Sequence, residues 1–270
     1  MKSCVTISLV SSLKGGPWIL WDDLEQSLAT ASELGFDGVE LFTADATIDS
    51  PKSLSDLLAE YNLDLAAVGT GAGKVLNGLT LTSPDPEIRK KSISFIKDMI
   101  IFGADHGAPT ILGSMQGNSS EDVPRELALS YLSDALEVLG DLATSKGTFF
   151  IYEPLNRYET NLFNHLESAS TFIDNLSSSG VKLLADLFHM NIEEQNLPKS
   201  LVINAQNIGH VHFADSNRKP VGFGHTKIDP IATALKEINY QGFLSAEAFA
   251  WPDPKTAAKQ TIDSFNKFFS

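Results

Sequence analysis

The stretch Phe149-Phe150-Ile151-Tyr152-Glu153-Pro154 decides how this chain is read. Its first four residues are apolar without a break. That is the pattern of a parallel strand covered on both faces, where an edge or half-exposed strand would alternate. The run ends in a carboxylate, Glu153. Upstream, residues 126–146 follow a helical pattern closed by Gly147, a glycine in the position where helices end. Downstream, Leu183-Leu184-Ala185-Asp186 repeats the form: an apolar run that ends in an acid.

Outward from these two runs the alternation extends over the whole chain. Apolar β-type runs fall at residues 5–10, 38–42, 65–68, 110–113, 149–152, 182–185, 209–213 and 243–246. Helical patterns lie at 22–34, 54–61, 87–106, 126–146, 166–176, 231–238 and 256–268, with a shorter, less periodic sixth connection around 197–207. Gly35 and Gly107 close helices as Gly147 does, and Asp85-Pro86-Glu87 supplies a cap, a first-turn proline and an early acid. No Ser- or Gly-rich linker divides the chain. Eight strands alternating with eight helical segments predict a single α/β domain, a (β/α)8 TIM barrel, which takes about 250 residues. An open, doubly wound sheet would need a phosphate loop. Gly69-Thr70-Gly71-Ala72-Gly73-Lys74 is glycine-rich but completes neither a P-loop nor a dinucleotide pattern, and reads as a flexible loop that lets a ligand approach.

Composition narrows the partners. A formal charge of −14 opposes a nucleic-acid backbone, which calls for a basic stripe. No apolar run approaches the roughly 20 residues of a membrane helix. The short run after Lys2 is interrupted by Ser and Thr and reads as a first strand, not a signal peptide. The single Cys4 excludes an internal disulfide and a cysteine zinc site. The expectation is a cytoplasmic protein with a small ligand, for which homo-oligomerisation is compatible.

Working residues of such barrels lie at the C-terminal ends of strands. Strand five ends in Glu153 and strand six in Asp186; strand seven carries His212, and strand eight ends in Glu247. One acid at a strand end is commonly a helix cap or a salt-bridge partner. Ligand-type residues on four consecutive strands are a different case, because their carboxylates would repel across a narrow mouth unless a cation relieved them. Three carboxylates and an imidazole form a hard, oxygen-rich set for one divalent ion, Mn2+ foremost, with Mg2+ or Co2+ as alternatives. His210 shares a face with His212 one layer deeper and reads as a hydrogen-bonded core histidine. His106 and His165 flank helices and default to structural roles. His225, in Gly222-Phe223-Gly224-His225, suits loop shaping as well as a substrate contact.

The stretches Tyr152–Thr160, Asp186–Glu194, His210–Arg218 and Glu247 together resemble the xylose isomerase-like sugar epimerases and isomerases, D-tagatose 3-epimerase and its relatives in particular. The resemblance covers the C-terminal half closely, in order and spacing; the N-terminal half matches only as a βα pattern. It implies that Glu153, Asp186, His212 and Glu247 are metal ligands and that Glu153 and Glu247 form the acid/base pair. It likewise implies that Glu159, His189 and Arg218 hold substrate oxygens. Two departures concern the substrate. The loop at 11–18 lacks the aromatic pattern of the ketohexose epimerases, and Asp215-Ser216-Asn217-Arg218-Lys219-Pro220 is closer to relatives that act on other sugars, oxidised (keto) glycosides among them.

The chemistry expected of such a site is proton removal beside a carbonyl by one carboxylate and return by the other through an enediolate, with a metal as Lewis acid. Return to the same carbon is epimerisation, the ketose 3-epimerase type; return to its neighbour is aldose–ketose isomerisation. With Arg157, Arg218 and Lys219 the only basic residues near these motifs, the sugar is expected to be non-phosphorylated. A related barrel, the three-zinc endonuclease, would need more histidine ligands and a basic face. A non-catalytic sugar-binding barrel would not require both Glu153 and Glu247.

Overall fold

The computed structural model describes residues 1–21 and 23–269. Eight parallel strands close into a barrel in chain order, β8 pairing with β1. They are β1 (Lys2–Ser8), β2 (Gly38–Phe42), β3 (Asp64–Gly69), β4 (Thr110–Leu112), β5 (Phe150–Tyr152), β6 (Val181–Asp186), β7 (Ile208–His212) and β8 (Phe243–Ala246). The helices between and after them are α1 (Leu24–Leu34), α2 (Leu54–Tyr61), α3 (Ala72–Asn77), α4 (Pro86–Asp105), α5 (Arg125–Ser145), α6 (Leu166–Asp174), α7 (Leu187–Glu193), α8 (Leu197–Ile203), α9 (Ile228–Glu237) and α10 (Pro254–Phe269).

Local chemistry accounts for most boundaries. Asp23 accepts the Gln26 N–H and Gly35 turns left-handed at φ 83°, so α1 starts and stops where capping requires. Residue 22, where the helical pattern begins, lies outside the described residues. Asp85 caps α4, with Pro86 in its first turn. The first strand runs from Lys2 to Ser8, earlier than the apolar run at 5–10, because Lys2 to Val5 pair with β8 to close the barrel. The weak sixth connection resolves into α8 and a 3-10 turn, Ala205–Asn207.

Two helices were not legible as such. The glycine-rich stretch expected to be a flexible loop runs into α3 from residue 72 on, and α7 follows β6 directly. In α3 the glycine at 73 serves close packing: a Cβ there would sit 2.6 Å from Met115 Sδ and 2.9 Å from Phe95.

Apart from a small cluster of Val10, Phe42 and Ala72, the buried apolar residues divide into two layers. Phe150, Tyr152, Leu183, Ala185 and Val211 belong to the large cluster between sheet and helices. Ala67, Ile111, Ile151 and Leu184 form a small separate cluster inside the barrel. Strand side chains alternate, so Glu153 follows Ile151 inward, Asp186 follows Leu184, and His212 follows His210. Each lands one layer above the inner plug, at the C-terminal mouth.

Candidate active site

Each mouth residue is held by its own segment. Asp186 does two things at once. Its Oδ1 caps α7 by accepting the N–H groups of Phe188 (2.7 Å) and His189 (3.1 Å), while Oδ2 faces His212 Nδ1 at 3.1 Å. The helix-cap role expected of a solitary acid is therefore met by one oxygen, and the other is left for the site. Glu153 continues β5 and is kept in place by Gln116, whose amide donates to the carbonyls of Glu153 (2.9 Å) and Gly113 (3.0 Å). Gly113 leaves the room Glu153 needs, since a Cβ there would stand 2.7 Å from Glu153 Oε2.

Around His212 Nδ1, Asp186 Oδ2 lies at 3.1 Å, Glu153 Oε1 at 3.6 Å and Glu247 Oε2 at 3.8 Å. The donor atoms of Glu153, Asp186, His212 and Glu247 all lie within 4.8 Å of one another. The barrel thus brings together all four strand-end residues. Burial pushes the Glu153 carboxyl well above the usual range, helped by Glu247 and Asp186 and opposed by His212. For Asp186 burial is outweighed by the imidazoles of His189 and His212 and by Arg218, which hold it well below the usual range. His212 is driven well above its ordinary value: burial opposes its charge, but Glu40, Asp186 and Glu247 overcome it. The cluster demands positive charge at this point, and Glu153 Oε1 is buried without a hydrogen-bond partner. A divalent cation among three carboxylates and Nδ1 fits both features.

The other three sequence candidates line the same mouth. His189 Nδ1 accepts from Asn156, from its side-chain amide at 2.7 Å and its backbone N–H at 3.3 Å. The proton is thereby left on Nε2, which has no partner and stands 3.8 Å from both Glu153 Oε1 and Asp186 Oδ2. Burial holds His189 below its ordinary value, which makes it a neutral N–H donor. Glu159 Oε1 accepts from Asn156 at 2.9 Å and from Arg218 Nη1 at 3.4 Å. Arg218 also contacts Glu247 closely and lies 5.0 Å from the centre of the Phe188 ring.

Arg157 and Lys219 are turned elsewhere. Arg157 pairs with Glu193 at 2.9 Å, and Lys219 lies over the Trp251 ring at 3.6 Å.

Sequence reasoning missed several residues of the site. Glu40 on β2 lines the mouth and contacts both His210 and His212. Its signal was an acid in the middle of the apolar run at 38–42. Trp18, from the loop that lacks the aromatic pattern of the ketohexose epimerases, packs on Phe42 with ring centres 4.0 Å apart and lines the cavity. Asp215 is the organiser of the loop after β7. Its carboxylate accepts four backbone N–H groups, from Ser216 (2.7 Å) and from Gly222, Gly224 and Thr226 (2.9 Å each). That fold holds Arg218 at φ 57°, with its N–H on Asp215 O and its carbonyl accepting from Phe249. A Cβ at residue 224 would collide with the Asp215 carboxylate. Residue 224 is itself exposed, but the methyl would displace the buried Asp215 carboxylate from its backbone N–H partners, so Gly224→Ala should cost about 1–3 kcal/mol. Urea unfolding would show the midpoint falling with the m-value unchanged.

These residues enclose a cavity of about 240 Å³ lined by apolar Trp18, Phe42, Val75 and Leu155 and by polar Glu153, Glu159, His212, Arg218 and Glu247. A larger cavity, about 500 Å³, opens at the opposite end of the barrel, and no carboxylate lines it. That end contributes to stability in this architecture, and chemistry belongs to the smaller cavity.

The sequence model of the xylose isomerase-like TIM barrel matches residues 28–268. An L-ribulose 3-epimerase of Methylomonas sp. (strain DH-1) is 30% identical over 257 residues, covering 89% of this chain and 86% of that enzyme. A 3-dehydro-D-guloside 4-epimerase of Escherichia coli (strain K12) is 36% identical over 132 residues, 48% of this chain and 50% of that one. Among solved structures, the apo form of a 3-keto-D-glucoside 4-epimerase from E. coli matches with a TM-score of 0.83 over 99% of this chain and 100% of that chain, at 24% identity. With nearly its whole length matched and a full-length relative at 30% identity, the chain belongs to the xylose isomerase-like TIM-barrel family of sugar epimerases and isomerases.

Proposed function

We propose that the protein is a divalent-metal-dependent epimerase that inverts a carbon next to the ketone of a small sugar. The observation that carries this is the placing of two carboxylates, Glu153 and Glu247, with donor atoms within 4.8 Å of each other at one small cavity. They come from strands with β6 and β7 between them, so each serves a different side of a bound sugar. Glu153, Asp186, His212 and Glu247 would hold the ion, Mn2+ foremost. When bound, it would supply Lewis acidity to a substrate ketone and neighbouring hydroxyl.

The chain's own residues do the rest. One of the two glutamates takes the proton from the carbon beside the ketone, and the electron pair moves to the carbonyl oxygen. The other gives a proton to the opposite face of the same carbon, and the ketone reforms with the carbon inverted. Burial raises the Glu153 carboxyl above the usual carboxylate range, the direction a proton carrier needs. His189 Nε2–H and the Arg218 guanidinium are donors for substrate oxygens, and Glu159 accepts from a hydroxyl. Trp18 and Phe42 exclude water from the cavity.

Arg218 is the cationic side chain that lines the cavity, and Glu247 and Glu159 already engage it, which favours a sugar without phosphate. A free ketose epimerised at C3 is the first reading, in line with the activity named for the relative matched over most of its length. An oxidised glycoside is the second, favoured by the 36% identity to the 4-epimerase over half the chain.

Proton NMR in D2O with Mn2+, across ketoses, ketose phosphates and keto-glycosides, decides between them. The expected result is deuterium at the inverted carbon of one class. No exchange from any would sink the proposal.

Arg218→Lys keeps the charge but loses the fixed fork of donors. It should lower kcat/KM about 10–100-fold, the scale of hydrogen bonds to charged groups. Metal content by elemental analysis should not change; loss of the ion along with activity would assign Arg218 a structural role.

A further inference from the structure

At the mouth, on the Nε2 side of His212, one carboxylate is shared by two histidines. Glu40 Oε2 accepts from His210 Nε2 at 2.8 Å, and Glu40 Oε1 stands 3.3 Å from His212 Nε2. All three side chains are buried, and none is assigned a role in the proton transfers above. His212 has two ring nitrogens, and only one can face the other three donors of the cluster. Nδ1 hydrogen-bonds to Asp186 Oδ2 at 3.1 Å, and Nε2, facing Glu40 Oε1, is buried without a hydrogen-bond partner. Once Nδ1 serves a cation the ring's proton must lie on Nε2, and Glu40 is the carboxylate placed to accept it. His210 holds the carboxylate from below, its ring edge-on to that of His212 with centres 5.5 Å apart.

The backbone is shaped for this contact. Pairing of β2 with β3 shifts register between Val39 and Glu40, and pairing of β6 with β7 shifts where it passes from Ile208 to His210. Both irregularities fall beside the residues that must meet across the barrel.

We infer that Glu40 is a positioning residue, which fixes the tautomer and orientation of His212 so that Nδ1 serves as the metal donor, with His210 holding Glu40 in place. The inference rests on the metal reading given under Proposed function. A carboxylate behind an imidazole ligand orients the ring and raises its basicity, and losing one typically weakens metal binding 10–100-fold. Glu40→Gln keeps the volume but presents an N–H to one of the two imidazoles.

The test is calorimetric titration of Mn2+ into chelator-treated wild type and Glu40→Gln, with thermal unfolding of both metal-free proteins to establish folding. Imidazole 15N NMR of the Zn2+-loaded wild type accompanies it. Expected are a roughly 10–100-fold weaker Kd in the variant and, in the wild type, a proton on His212 Nε2 with the ion on Nδ1. An unchanged Kd in folded Glu40→Gln overturns the inference, as does a wild-type His212 protonated on Nδ1. Turnover lost in the variant at unchanged Kd would place Glu40 against substrate and also overturn it. If Glu40→Gln does not fold, Glu40→Asp takes its place in the titration and the wild-type spectrum still decides. Wild type that takes up no ion defeats the metal reading itself, and this inference with it.

Discussion

Glu153→Gln and Glu247→Gln should each lower turnover about 10²–10⁴-fold at saturating Mn2+, the range for removal of a general acid–base group. Glutamine keeps the side-chain length and one oxygen able to act as a ligand, but it cannot carry the proton. Both residues sit in the four-donor cluster, so a weakened metal site would mimic the loss. Each variant must therefore be assayed over a full Mn2+ titration and compared at the plateau. The two variants are also expected to differ in isotope behaviour. With one carboxylate left, exchange of the substrate C–H with D2O continues from the face that carboxylate serves, while inversion is suppressed. Which substrate epimer still exchanges should switch between the variants. Near wild-type inversion by both, with metal bound, would defeat the two-carboxylate mechanism.

Removal of the ion with EDTA should abolish epimerisation by at least about 10³-fold, because Lewis-acid stabilisation at such a site amounts to several kcal/mol. Added Mn2+ should restore it. Stability ought to follow. Asp186 and Glu153 are buried close to Glu247, and both depend on His212 and Arg218 for positive charge. An ion that binds only the folded chain stabilises it by about 4 kcal/mol at a thousandfold excess over its Kd. The unfolding temperature should therefore rise steeply with Mn2+ in wild type and much less in Asp186→Ala, whose cap on α7 is also lost. Activity that survives exhaustive chelation, with no shift in unfolding temperature on adding metal, would leave the cluster a purely structural one.

Part of this molecule was legible before any coordinates. The unbroken apolar runs and helix-closing glycines predict the eightfold alternation, because strand burial and helix capping are local and leave local marks. The four metal-type residues were legible for the same reason: each stands at the end of a run that is itself recognisable, as Glu153 does after Phe150–Tyr152. Glu159, His189 and Arg218 came only from a resemblance, since nothing in their own neighbourhoods says that they face one cavity.

Other features depended on packing between distant segments. Glycine at 71 and 73 spoke locally for a loop, yet α3 forms because Met115 and Phe95 pack against a helix with no side chain at that point. Trp18 became a cavity wall only by stacking on Phe42 from the next strand. Asp215 read as part of a motif, while its work is to collect N–H groups up to eleven residues further on. Glu40 is the clearest case. Within its strand it is one acid in an apolar run, and its partner His210 is 170 residues away. Periodicity gives the face on which a residue lies, because that is fixed by the residues beside it. Which residue it meets across the barrel is fixed by closure of β8 onto β1 and by two shifts of register, and those exist only once the whole chain has folded.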